Sequence, residues 1–376
     1  MTVPLSPQLF DEQTGQLSDE LATYVKNKFS PSKTCPGALF ADEPYIQSWS
    51  AYDRANAFEL LTTCYPQLGF PIEDGINKTQ PYIDAVLKGK TQGVTSINKL
   101  GLTHPESIQI ELYKSMAGSV LVVYVSDVQD FEKITQCLLH KNNPVPIPKS
   151  MGAFLANGVV NWSRLNTLKA NWVPGNSTET WSQAFSKTIL PAPGLYKDKI
   201  MVLSRKPYSN VAADALNLDQ EEWLTHSLTI RLEHECTHLY TLKRYGCAAN
   251  NLHDELIADY AGISRALGKY SREWMLAFMG LENYPMYRKG ARLENYVGNA
   301  SLSTEEFRQL TGVVKSAIET IARFDTALGR IDTEADQLAR IDALCLTDLL
   351  TTASANGLNA LVETYNELYV AGLAGS

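Results

Sequence analysis

His234-Glu235-Cys236-Thr237-His238 reads H-E-x-x-H, and the residues around it predict one long helix. Asp219-Gln220-Glu221-Glu222 has the form of a capping box, with an acceptor at the N-cap and Glu222 three residues on. Trp223, Leu224, Leu228, Leu232 and Leu239 then recur at helical spacing. Lys243 and Arg244 suit the negative end of the helix dipole, and Gly246 is a C-terminal stop. The two histidines stand one turn apart, so both imidazoles point the same way. That spacing suits two of the four tetrahedral positions of a zinc ion, with Glu235 beside them as a base for a metal-bound water.

Such a site needs a third protein ligand and a carboxylate to orient a ligand histidine. Downstream stands His253-Asp254-Glu255-Leu256-Ile257-Ala258-Asp259-Tyr260-Ala261-Gly262. Glu255 and Asp259 share a helix face. Glu255 is the natural third ligand, and Asp259 can accept the outer N–H of a histidine. Asn250 or Asn251 caps this second helix, and Gly268 ends it. The short loop between the two helices makes them neighbours. Cys236 falls between the ligand positions and is expected to point away from the metal.

These residues resemble the gluzincin branch of the zincin metallopeptidases, which carries H-E-x-x-H on one helix and E-x-x-A-D on the next. The resemblance spans about Arg231 to Gly262. It implies zinc ligands His234, His238 and Glu255, Glu235 as general base and Asp259 as orienter. The metzincin pattern is absent, because Arg244 stands where its third histidine would be. Such chemistry also needs a donor for the oxyanion. His253 is nearest in sequence, with Tyr240, Tyr260, Tyr284 and Tyr287 as weaker choices.

Composition bounds the rest. A net charge of −8 argues against a general nucleic-acid binder and against an anionic membrane surface. The longest apolar run, Ser119 to Val125, is far too short to span a bilayer and reads as a buried strand. Met1 through Phe10 has no basic start and no apolar core, so no secretory signal is expected. Six scattered cysteines without a C-x-x-C pair point to a reduced, cytoplasmic setting, where the sequon at Asn176 carries little meaning.

Along the chain, helices are expected at about Ser18 to Phe29, Ala51 to Tyr65 and Pro81 to Lys88. Ser107 to Leu112 and Ser119 to Val125 form a hairpin, and Ser126 caps a helix to about Leu139. The proline-punctuated run from Asn142 to Pro148 is the expected domain boundary, followed by a poorly periodic region to Leu195. Lys199 to Arg205 reads as a strand that either borders the cleft and pairs with extended substrate or is a core strand. Beyond Ser271 the chain reads as a helical bundle, with a capping box at Ser303 and a helix start at Thr333.

The expected fold is therefore α+β and helix-rich. A mixed N-terminal region (1–143) precedes a zincin-like core of two metal-bearing helices plus a small sheet (144–270), and a C-terminal helical bundle (271–376) follows. The expected function is a zinc metallohydrolase, most simply a metallopeptidase acting on a peptide or protein. A zinc hydrolase of a non-peptide amide is an alternative, as is an inactive zincin-like interaction protein. A surface helix with two exposed histidines, unrelated to the helix after it, would mimic the motif.

Overall fold

The structure, a computed structural model, describes residues 2–3, 18–30, 40–90, 98–174, 179–247, 251–297 and 302–375. Most of Met1 through Phe10, Cys35, the Asn176 sequon and Asn250 lie outside the described residues. The protein is helix-rich with a small mixed sheet. Two compact units divide it. One is Ala41–Lys206; the other joins Met1–Phe40 to Pro207–Ser376.

The Ala41–Lys206 unit holds a four-stranded sheet: β1 (Gln109–Ser115), β2 (Gly118–Val125), β3 (Ala153–Val160) and β4 (Lys197–Ser204). Their spatial order is β1-β2-β4-β3. β1 and β2 form the expected hairpin through Met116 and Ala117. β4 runs parallel to β2, with Leu121 opposite Ile200, and antiparallel to β3. The apolar runs of β2 and β4 are buried because these are the two central strands. Both edges of β4 are therefore occupied, and the Lys199 to Arg205 strand is a core strand that cannot take an extended substrate. The adjoining helix is Val128–His140, capped by Asp127 rather than Ser126.

This sheet corrects the expected division at 143/144, since β3 and β4 complete a sheet that β1 and β2 begin. The run after Lys141 is pinned instead of hinged. The buried Asn142 amide donates to the carbonyls of Gln67 (3.0 Å) and Phe70 (3.1 Å), and Tyr82 donates to its Oδ1. The poorly periodic region contains β3, interrupted by a register shift at Gly158, and a helix at Trp162–Ala170.

The second unit is helical. Its main helices are Gln220–Tyr245, Leu252–Leu267, Arg272–Met279, Thr304–Leu328, Glu334–Leu346 and Gly357–Gly375. The Ser303 capping box and the Thr333 cap both form as expected. No division falls at 270/271, because Tyr260 and the backbone of Tyr270 both donate to Asp325 in the Thr304–Leu328 helix. The start of the chain belongs to this unit too. The helix Asp19–Tyr24 is shorter than expected. Beyond it Asn27 donates to the Cys345 carbonyl, and the Phe29 ring packs on Tyr245 and His253. The expected small sheet and the two motif helices thus lie in different units. No described helix is long and apolar enough to cross a membrane.

Candidate metal centre

The Gln220–Tyr245 helix is capped as expected: Asp219 accepts the Glu222 amide at 2.9 Å, and Gly246 ends the helix in the left-handed conformation. Asn251 caps the Leu252–Leu267 helix through the Asp254 amide, and Gly268 closes it. The two helices pack along each other. Ile230 meets Gly262 at one end, and His238 meets Asp254 at the other. At the Ile230 contact a Cβ on Gly262 would stand 2.7 Å from the Ile230 carbonyl oxygen. Only glycine permits that approach, which brings the acidic face of one helix to the histidines of the other.

His234, His238 and Glu255 offer ligand atoms that all lie within 4.8 Å of one another. The two Nε2 atoms are 3.0 Å apart. Glu255 Oε2 is 3.3 Å from His234 Nε2, and Oε1 is 3.6 Å from His238 Nε2. Ligand atoms about 2.0–2.1 Å from a tetrahedral ion stand about 3.3–3.4 Å from one another, so these separations fit a zinc-sized cation.

The outer ring nitrogens are also held. His234 Nδ1 lies 2.8 Å from Asp259 Oδ1, the orienting pair expected from the sequence. His238 Nδ1 lies 3.1 Å from Asp254 Oδ2. A carboxylate can only accept, so each Nδ1 carries a proton, and the neutral form of each ring would present the Nε2 lone pair to a cation. Burial opposes charge on His234, but Asp259 and Glu255 outweigh it and raise the ring to about 10. Burial likewise works to raise Glu255, yet His234 and Arg292 hold it well below the usual carboxylate range. Three carboxylates and one guanidinium around two histidines form a setting that favours a cation.

Glu235 follows the first histidine and is half-buried. Among the described residues its carboxylate makes no hydrogen bond or ion pair, and its charge acts on the buried Arg231 guanidinium. Cys236 is fully buried, and it is not among the clustered ligand residues. His253, the residue nearest in sequence for an oxyanion donor, is engaged elsewhere. Its Nε2 bonds the Leu344 carbonyl at 2.9 Å, and its ring packs against Phe29. Burial lowers its pKa. The weaker tyrosine choices are engaged elsewhere: Tyr240 donates to Asp342, Tyr260 to Asp325 and Tyr287 to the Ala291 carbonyl, while the Tyr284 ring lies under Lys315.

Sequence reasoning missed four residues here. Asp254 stands beside Glu255 but acts on the other histidine. Tyr208 donates to Asp259 Oδ1 at 2.6 Å and lies 2.9 Å from His234 Nδ1. Arg292 reaches both Asp259 oxygens through Nη1, at 2.9 and 2.8 Å, and Glu255 Oε2 through Nη2, at 2.6 Å. Tyr296 donates to the same Oε2 at 2.8 Å.

The chain matches, over residues 9–356, a family of unknown function (DUF7005), and it belongs to that family. No curated protein and no solved structure matches it.

Proposed function

We propose that this protein is a zinc-dependent hydrolase, most simply a metallopeptidase, built on a zincin-like pair of helices. The observation that carries this reading is the convergence of His234 Nε2 and His238 Nε2, 3.0 Å apart, on the Glu255 carboxylate, whose Oε2 lies 3.3 Å from the first and Oε1 3.6 Å from the second, with both histidines oriented from behind. Three protein ligands leave a tetrahedral cation one open position, as catalytic zinc sites do. A bound zinc ion would lower the pKa of a water toward neutrality and polarise an amide carbonyl. Glu235 takes the proton from the attacking water and returns it to the leaving amine. Asp259 and Asp254 keep each histidine in the tautomer that presents Nε2. Tyr208 and Arg292 hold Asp259 as a carboxylate in a buried place where burial would otherwise protonate it. The substrate is a peptide or protein in the cytoplasm.

The test is a peptide-library cleavage assay on the full-length, zinc-supplied protein beside Glu235→Gln. Wild-type cleavage that falls about 10²–10⁴-fold in the variant is the expected result. Equal activity in the two would remove Glu235 as the base. Zinc binding without turnover of any peptide or small amide would make the metal a staple for an interaction protein.

A further inference from the structure

Glu255 carries two oxygens, and the structure treats them unequally. Oε2 accepts from Arg292 Nη2 and from the Tyr296 hydroxyl. A carboxylate oxygen has about two lone-pair sites, so these two donors use what Oε2 offers. Oε1 faces His238 Nε2 at 3.6 Å. We infer that Arg292 and Tyr296 are positioning residues that restrict Glu255 to a single ligating oxygen, Oε1, and so keep one position of the metal open. This inference rests on the metal reading above.

The clamp is anchored on every side. Arg292 is fixed to both oxygens of Asp259, and its Nε donates to the Tyr296 hydroxyl. Its guanidinium lies 5.1 Å from the centre of the Tyr208 ring and 5.5 Å from that of Tyr296. Tyr296 belongs to the short helix Leu293–Val297, and its carbonyl accepts from Tyr24 at 3.0 Å. Without these donors, Oε2 would be free at 3.3 Å from His234 Nε2. It would then close on the cation as a second bond from the same carboxylate. A carboxylate bound through both oxygens would fill the position a water needs.

Cobalt in place of zinc reads this directly, because four-coordinate cobalt absorbs visible light several-fold more strongly than five-coordinate cobalt. The full-length wild type, Tyr296→Phe and Arg292→Lys are loaded with cobalt. Tyr296→Phe removes one donor at almost constant volume. Lysine keeps the charge but cannot span Asp259 and Glu255. The wild type is expected to give strong bands. Both variants should hold cobalt at wild-type stoichiometry with bands weakened several-fold. Wild-type spectra in the variants would overturn the inference, as would loss of cobalt from a folded Tyr296→Phe protein. Absence of cobalt from the wild type would overturn the metal reading beneath it.

Discussion

Asp254 holds His238 as Asp259 holds His234: the first carboxylate lies 3.1 Å from its ring and the second 2.8 Å, both at Nδ1. The two acids sit on one helix and the two histidines on the other. Each oriented ring depends on its own partner, so Asp254→Asn and Asp259→Asn should each weaken metal binding by about 10–100-fold. A chelator-competition titration measures this. Wild-type affinity in both variants would mean that the histidines need no orienting.

The Ile230–Gly262 contact sets the spacing of the same helices. Gly262→Ala places a methyl group against the backbone of Ile230, which cannot swing aside as a flexible side chain would. The helices must separate, at a cost of about 1–3 kcal/mol. Chemical denaturation should report that loss, together with reduced metal retention. A fully stable variant with normal metal content would show slack at this crossing.

In the sheet-bearing unit, the fully buried Asp198 accepts from Trp49 (2.9 Å), Tyr65 (2.6 Å) and Asn161 (2.7 Å) and pairs with Arg164. Asp198→Ala leaves Arg164 buried without that charge. The expected loss is about 3–5 kcal/mol of stability, read from denaturant melts. A loss below about 1 kcal/mol would mean that Arg164 finds water or another acceptor.

The limits of both motif helices were legible because caps are local: Asp219, Gly246, Asn251 and Gly268 each act within one turn. Glu255 and Asp259 were legible for the same reason, by their one-turn spacing. Tyr208, Arg292 and Tyr296 were not. They come from segments outside the two motif helices and reach the site only through tertiary packing, which the motif spacing does not encode. Asp254 was in view beside Glu255, but its partner depends on how the helices cross. The run from Asn142 to Pro148 misled because prolines mark a turn inside a unit as readily as a linker between units. The difference lay in the buried Asn142 amide and its distant carbonyl partners.

The central claim is that His234, His238 and Glu255 hold a metal. Elemental analysis of the full-length protein, purified with zinc supplied, tests it beside Glu255→Ala. The account predicts close to one zinc per chain in the wild type and its loss in the variant. Zinc absent from the wild type, or retained undiminished without Glu255, would contradict it.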